Sequence, residues 1–514
     1  SVANSPSGSA ALEELFSAIL DTEPECAALV DGARTMTFGD WWHESALAAG
    51  GLAELGVGGG DVVALLLPSG RDFAACYLGA LRLGAVVSGI NPRLGPVEIE
   101  HITARAQPVV IVTDTPGRIP EGTAGLARTP RELFGELGAT PMVDGCAATP
   151  PGAPAVIAWT TGTTGLPKGA WFDHEAMLFM ARRMGPLSAP YDRKLMPLPF
   201  AHTGYLTRLY DQLVHRSALV LTPPVWTAES MLDTLAAGRV TVGQGVPTQW
   251  EKLIALDRLD DADLSHLRLV STGASRVPAA LVTALRDRLG CPVVVRYAST
   301  ELPLAFGTGI TDPAEIVETT VGRPLGDVQV EIRSAAGDLL KSGETGRILL
   351  RSRGAMRGYW RDPERTAQTL RPDGWLVSSD LGSLDEAGNL TVIGRADDAY
   401  IRGGYNVFPS EVEAVLLTHP LVSRVTVVAT PAPVIGEIGV AFVVPATAAT
   451  AATPATAEEL RMWCRERIAD YKVPDLVVFL DDLPVNATYK VDVTRLRQIA
   501  AESAARHPRT PRPR

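Results

Sequence analysis

Between residues 35 and 114 the apolar positions fall into two alternating patterns. Trp41 to Leu55 repeats apolar residues at helical spacing and runs into the glycine-rich stretch GVGGG at 56–60. DVVALLLP at 61–68 is short and continuously apolar; a second helical pattern over Phe73 to Leu83 leads into another such run, PVVIVTD at 108–114. Short apolar runs between helices predict strands buried on both faces, as in a mostly parallel sheet covered by helices. The rhythm returns at SALVLTPP, 217–224, and at LRLVSTGAS, 267–275. After about residue 320 the texture changes. QVEIR at 329–333, GRILLRS at 346–352 and NLTVIGR at 389–395 are short strands between Gly/Asp turns, which predicts an antiparallel β region. A compact α+β unit follows: helix 409–418, strands near 423–429 and 438–444, helix 457–469 and strand 476–480. The expected fold class is α/β. A large N-terminal domain, 1–395, combines parallel-rich sheets layered with helices and a β region, and a small α+β domain covers 396–514. ATAATAATPAT at 446–456 reads as a low-complexity surface loop, and the basic, proline-broken tail after 505 as a mobile, solvated end.

Composition narrows the class. A chain of 514 residues is longer than one core serves, which agrees with two domains. With 46% hydrophobic and 20% charged residues it has ordinary globular proportions. No apolar run reaches the ~18 residues of a membrane span. The opening SVANSPSGSA has neither a basic start nor an apolar core, so no secretory signal is expected. A net charge of −11 argues against nucleic acid as a partner, although local basic loops can still hold a polyanionic small molecule. Cys26, Cys76, Cys146, Cys291 and Cys464 are scattered, without C-x-x-C or His/Cys metal spacing; buried thiols in a reducing cytoplasm are the expectation.

TTGTTGLPKG at 160–169, after the strand-like AVIAW at 155–159, carries the clearest chemistry. Three glycines permit tight turns and close backbone approach. Threonine hydroxyls and successive backbone N–H groups suit phosphate oxygens, and Lys168 adds a cation. A Walker loop would need glycine before the lysine and Ser/Thr after it. Pro167 and Gly169 stand there instead, so the loop predicts polyphosphate binding outside the P-loop class.

At this point the sequence resembles the acyl-adenylate-forming (ANL) superfamily of acyl- and aryl-CoA ligases, nonribosomal adenylation domains and beetle luciferases. Its motifs recur in the family's order over nearly the whole chain. TTGTTGLPKG resembles the family's phosphate loop, which implies that Thr160, Thr161, Gly162, Thr163, Thr164, Gly165 and Lys168 contact ATP. PLPFAHTG, 197–204, resembles the next block and makes His202 a gate beside the carboxylate. STGASRVP, 271–278, implies that Gly273, Ala274 and Ser275 lie along the adenine. RYASTE, 296–301, resembles Y-G-x-T-E: Tyr297, Ala298 and Ser299 would border adenine, Thr300 would bond the α-phosphate and Glu301 would help hold Mg²⁺. DGWLVSSD, 373–380, implies Asp380 as the ribose ligand. GRADDAYIRGGYNVFPSEVE, 394–413, resembles the hinge block: Arg395 would touch ribose or phosphate and Asp397 would be the pivot of a mobile C-terminal domain. YKVP at 471–474 and LPVNATYK at 483–490 place Lys490 as the catalytic lysine. Three positions depart from the pattern: Ala298, Ser379 and Tyr489 each replace a glycine.

The resemblance implies an ATP-dependent carboxylic acid–CoA ligase, with acid and ATP giving acyl-AMP and pyrophosphate, then acyl-AMP and CoA giving acyl-CoA and AMP. ATP, Mg²⁺ and CoA are the implied cofactors, and Arg402, Gly403 and Gly404 would line the pantetheine tunnel after rotation about Asp397. Ala201 follows Phe200 where amino-acid-activating relatives carry Asp, which favours an acid without an α-amino group. By analogy the acyl pocket draws on Tyr205, Gly243, Gly245, Val246, Arg296, Leu302 and Phe306; the glycines are expected to leave volume for a bulky apolar acid, and Arg296 either meets a second polar group or forms a structural ion pair. The alternatives are a stand-alone enzyme that loads a carrier-protein thiol, a luciferase-like oxygenase and, in another class, a non-catalytic nucleotide sensor.

Overall fold

The computed structural model describes residues 8–135, 143–160, 166–275, 277–433, 435–446 and 453–506. Residues 447–452 of the expected low-complexity loop and 507–514 of the tail lie outside them. The chain divides into two compact units, 1–330 with 350–376, and 331–349 with 377–514.

The first unit holds two large sheets. One has the order Gly358–Tyr359, Gly169–Asp173, Pro154–Trp159, Val86–Gly89, Val62–Leu66, Val110–Thr113, Ala127–Arg128. Its inner strands are parallel, and only the pairs at the Gly358 end, Gly169–Asp173 with both neighbours, are antiparallel. Val62–Leu66 shows why the apolar run was continuous: Val63 and Leu65 enter one core cluster while Val62, Ala64 and Leu66 enter another. Helices cover both faces. Thr37 starts the helix Phe38–Glu54, its hydroxyl accepting from the Asp40 amide at 3.0 Å while the Asp40 carboxylate accepts from the Thr37 N–H at 3.0 Å. That helix packs closely on Arg71–Arg82, where a Cβ at Gly79 would come within 2.8 Å of the Ala48 side chain.

The other sheet of this unit runs Arg323–Pro324, Phe306–Gly307, Val293–Tyr297, Leu269–Gly273, Val242–Gly245, Arg193–Met196, Ala218–Leu221, Ala27–Asp31, Arg34–Thr37. Here too the strands from Val293–Tyr297 to Ala27–Asp31 are parallel. Alternate residues again serve two clusters, Val293 and Val295 on one face and Val294 on the other.

The second unit contains most of a four-stranded sheet, ordered Gln329–Arg333, Gly346–Arg351, Leu376–Leu384, Leu390–Arg395, and the α+β region beyond. In that region the long antiparallel pair Val422–Ala432 and Gly436–Pro445 gains Leu476–Phe479 in parallel. Pro409–Leu416 and Pro454–Arg465 contribute Val412, Leu416, Leu460 and Cys464 to the core on one side of this pair, and Val493–Arg506 contributes Leu496 and Ala500 on the other. Among the described residues no helix is long and apolar enough to cross a membrane. All five cysteines are free thiols.

His174 offers a test of this packing. It is 3% exposed, and its Nδ1 lies 2.9 Å from the Tyr210 hydroxyl. Burial pushes the imidazole down to about 4. The unfolded chain, titrating near ~6.5, binds the proton first. His174 therefore supports the fold fully above about pH 6.5, and that support is lost as pH falls towards about 4, on the order of 3 kcal/mol in all. Urea titrations at pH 7.5, 5.5 and 4.5 should show stability falling through this window, with a shallower fall in His174→Phe.

Candidate active site

The phosphate loop is a hairpin in this fold. It joins the antiparallel strands Pro154–Trp159 and Gly169–Asp173, paired at Trp159 and Gly169. Its foot is closed twice: the Thr160 amide donates to the Lys168 carbonyl at 2.9 Å, and the Lys168 amide donates to Thr160 Oγ1 at 3.1 Å. His101 Nε2 lies 2.9 Å from the Pro167 carbonyl. A Walker loop opens a helix, and this one enters a strand, which is the structural counterpart of the failed sequence match. Thr161, Gly162, Thr163, Thr164 and Gly165 lie outside the described residues.

A residue not singled out in the sequence joins this foot to Glu301. The two-residue strand Gly358–Tyr359 adds to the edge of Gly169–Asp173, with Tyr359 opposite Ala170. The Tyr359 hydroxyl donates to Glu301 Oε1 at 2.6 Å, and Lys168 Nζ sits 4.9 Å above the Tyr359 ring. Burial and the adjacent carboxylate push the phenol well above its ordinary range, so it remains a donor. Glu301 Oε2 accepts no hydrogen bond from the described residues. A carboxylate with one oxygen committed to a neutral donor and the other open fits a hard cation such as Mg²⁺. Thr300 is half-buried in the turn in which the Ser299 amide donates to the Leu302 carbonyl and the Leu302 amide to Ser299 Oγ, both at 3.1 Å.

Tyr297 stands opposite Phe306 across the antiparallel pair, with ring centroids 6.1 Å apart, and Ala298 is half-buried beyond it. Gly273 is required by proximity: a Cβ there would lie 2.3 Å from the Arg296 carbonyl of the next strand. Ala274 follows in the left-handed region at φ 64°, and Ala274 and Ser275 are exposed. His202 is fixed by buried Asn91, whose Nδ2 donates to His202 Nε2 at 2.9 Å while its Oδ1 accepts from the Arg93 amide. An accepting Nε2 leaves the ring proton on Nδ1. Asn91 is a second residue that sequence reasoning missed; its signal was the N-P step after the apolar VVSGI.

The expected acyl pocket is only partly as read. Gly243 and Gly245 do not leave volume: a Cβ at either would come within 2.9 Å of the Trp250 indole, which fills that space. Strand alternation turns these glycines towards the face where Trp250 packs, whereas Arg296 shares the opposite face with Val294. Val246, Leu302 and Phe306 are buried, and Tyr205 stacks on Phe200 at 3.6 Å. Arg296 forms no ion pair with the described residues; its three guanidinium nitrogens are sealed from solvent without an acceptor among them.

In the second unit, Asp380 and Arg395 face each other across the antiparallel pair Leu376–Leu384 and Leu390–Arg395. Arg395 Nη2 donates to Ser379 Oγ at 2.9 Å and lies 3.6 Å from Asp397. Ser379, a departure from the motif, thus orients the arginine. Arg402 makes a two-pronged pair with Asp475 at 2.8 Å for both prongs. Gly403 and Gly404 form the two-residue turn between Tyr400–Arg402 and Tyr405–Val407, at φ 57° and 88°. Such a hairpin turn needs positive φ at both centres, which accounts for the glycines through the turn itself. Lys490 ends a second tight turn, in which Asn486 Oδ1 accepts from the Thr488 amide, the Thr488 hydroxyl and the Lys490 amide at 2.8–3.2 Å. Burial and Arg395 hold the Lys490 ammonium below the usual lysine range. Among the described residues no cluster of three or more His, Cys, Asp or Glu is arranged to hold a metal.

Residues 16–360 match the model of the AMP-binding enzyme family, and 411–490 match the AMP-binding enzyme C-terminal domain. The chain belongs to the AMP-binding enzyme family. Feruloyl-CoA synthase from an Amycolatopsis species is 33% identical over 480 residues, 91% of this chain and 94% of that protein. Indoleacetate–CoA ligase from Aromatoleum aromaticum is 33% identical over 475 residues, 89% and 91% of the two chains. The crystal structure of the anthranilate CoA ligase AuaEII with anthranoyl-AMP superposes with a TM-score of 0.86 at 25% identity, covering 96% of this chain and 98% of that one. This AMP-binding enzyme is an AMP-forming acid–thiol ligase that uses ATP and CoA, with Mg²⁺ as the usual cofactor.

Tyr489 tests the geometry of the lysine turn. It sits at φ 61° where the resemblance has glycine. A side chain there costs roughly 1–2 kcal/mol, against about 0.5–1 kcal/mol of extra chain entropy for glycine. Tyr489→Gly should therefore match or exceed the parent in urea midpoint, while Tyr489→Ala, which keeps the strain, should fall below both. A midpoint for the glycine variant below that of the alanine variant would remove this account.

Proposed function

We propose that this AMP-binding enzyme activates an aryl or other bulky carboxylic acid without an α-amino group, using the residues assembled above. The observation that carries the reading is the convergence of Lys168, Tyr359 and Glu301 at the foot of the phosphate loop. The 160–168 hairpin holds the polyphosphate. Lys168 supplies charge over the Tyr359 ring, and Tyr359 fixes the carboxylate of Glu301 for Mg²⁺, which supplies charge neutralisation at the phosphates when bound. Thr300 and Lys490 donate to the α-phosphate as charge builds there, where aligned donors lower a barrier dominated by repulsion between two anions. Lowered basicity suits Lys490 to a close approach, and the Asn486 turn sets its direction. Asp380 accepts from the ribose hydroxyls beside Arg395. His202, held by Asn91, borders the reacting carboxylate.

CoA as acceptor requires Lys490 to withdraw after adenylation, and the proposed pivot is Asp397, between a domain of 1–395 and one of 396–514. The Arg402–Asp475 fork then holds the Gly403–Gly404 turn rigid along the thiol's path. A carrier-protein thiol is the alternative acceptor. A cytoplasmic setting is supported by the five free thiols.

The substrate class rests on three supports. The two relatives and the solved ligase named above act on feruloyl, indoleacetate and anthranilate groups, all aromatic acids. Ala201 is buried, and Gly89 packs against it so closely that a Cβ there would lie 2.7 Å from the Ala201 backbone. No carboxylate at that position awaits an ammonium.

Pyrophosphate release across aliphatic, aryl and fused-ring acids, with CoA or a holo-carrier protein, tests the assignment. Aryl acids should lead and CoA should be the better acceptor; failure of every acid in the panel to trigger release would sink the adenylation roles. Lys490→Ala should lose about 10²–10³ in adenylation while retaining thioester formation from supplied acyl-AMP. Equal loss in both half-reactions removes Lys490 from this role. Asp397→Pro should show the opposite split by restricting the backbone at the pivot, and undiminished CoA turnover would count against rotation there.

A further inference from the structure

Two other enclosed guanidinium groups, those of Arg82 and Arg208, find acceptors. Arg82, 1% exposed, donates to the carbonyls of Gly145, Trp42 and Val143 and to the Ser45 hydroxyl, all within 3.0 Å. Arg208 donates to the Pro303 carbonyl at 2.6 Å and to Met184 Sδ at 2.8 Å. Arg296 is different: Nε, Nη1 and Nη2 are all out of solvent and none has an acceptor. A buried cation without a partner is destabilising, and native structures rarely keep one without a use.

The surroundings are built for that side chain. Arg296 stands opposite Gly307 across the antiparallel pair, and a Cβ at 307 would lie 2.0 Å from Nη1. Gly307 is not among the residues with positive φ, so space for the guanidinium, and not backbone conformation, is what calls for glycine there. Strand alternation places Arg296 on the face of Val294, in the cluster that also holds Met184 and Leu304. Arg208 reaches the same cluster through Met184, so its charge adds to that of Arg296. Arg208 follows the helix Thr203–Leu206 begun at His202, and its Pro303 contact lies two residues beyond Glu301. The two arginines thus lie between the His202 block and the Thr300–Glu301 block, where an acid presented to both must extend. Burial and Arg208 bring Arg296 down to about 10, which leaves it charged at neutral pH.

We propose that Arg296 anchors an anion subsite in the acyl pocket, which binds a second carboxylate on the acid, remote from the one that is adenylated. The assignment rests on the adenylation reading for the position of the first carboxylate. Arg296 pairs with the second in a charge-assisted bond, Arg208 adds its field, and an acid lacking that group leaves the guanidinium buried and unmatched. Arg296 is on this account a specificity residue that touches substrate, with no part in the transfer to phosphate.

The test uses the full chain with 3-phenylpropanoate, 3-(4-acetylphenyl)propanoate and 3-(4-carboxyphenyl)propanoate as probes, on the parent, Arg296→Met and Arg296→Lys. Binding is measured calorimetrically with a non-hydrolysable ATP analogue present, pyrophosphate release with ATP, and Tm without ligand. The diacid should bind the parent at least tenfold more tightly than either monoacid. Arg296→Met should erase that preference, and Arg296→Lys should keep part of it. Without ligand, Arg296→Met should raise Tm, because it removes an unmatched buried charge. Equal binding of all three acids by the parent, preference for the acetyl compound, or a lowered Tm with parallel weakening of every acid would overturn the subsite. Pyrophosphate release reports separately: diacid preference in binding with no release upholds the subsite and counts against adenylation, and release from monoacids without diacid preference does the reverse.

Discussion

A carboxylate proposed to hold a cation beside a triphosphate must be aimed, and in this chain a single phenol does that. Tyr359 reaches Glu301 because Gly358–Tyr359 pairs onto the edge of Gly169–Asp173, the strand that leaves the phosphate loop. The same pairing puts the Tyr359 ring beneath Lys168. A hydrogen bond to a charged acceptor contributes about 1.5–3 kcal/mol, more than most surface ion pairs. The loop with its lysine, and a carboxylate more than a hundred residues further along the chain, are therefore referenced to one strand edge. The backbone reinforces it: the Met356 amide donates to the Glu301 carbonyl at 2.8 Å and the Trp360 amide to the Gly169 carbonyl at 2.7 Å.

The protein also keeps several features that work against its own stability. Ala274 and Tyr489 occupy left-handed backbone conformations that favour glycine, and Arg296 is buried without an acceptor. All three fall in segments expected to meet nucleotide, phosphate or acid. The contrast with Arg82, whose guanidinium is also out of solvent but satisfied by four acceptors, shows that burial alone does not set the character of Arg296.

The second unit follows a different logic, rigid turns that present single residues. Gly403–Gly404 is set by hairpin geometry and anchored by the Arg402–Asp475 fork, and Lys490 by three hydrogen bonds to one amide oxygen of Asn486. In each turn one polar side chain replaces the packing that a short loop lacks.

Strand and helix positions, the phosphate loop and the order of motifs through Lys490 were legible because they are local. A run such as Val62–Leu66 is apolar throughout since both its faces are covered, and QVEIR forms a strand over the same five residues that its alternation indicated. Failure of the Walker pattern at Pro167 and Gly169 was likewise readable, and the hairpin explains it. What the chain alone did not determine was who meets whom across long separations. Tyr359 lies in an unremarked stretch, and only sheet pairing brings it to Glu301; Asn91 becomes relevant only through His202. Gly243 and Gly245 were misread for the same reason, since the room they leave is filled by Trp250, a residue that helical packing carries back over the strand. Local sequence specifies element type and motif chemistry, whereas close packing decides which space is empty and which charge is left unpaired.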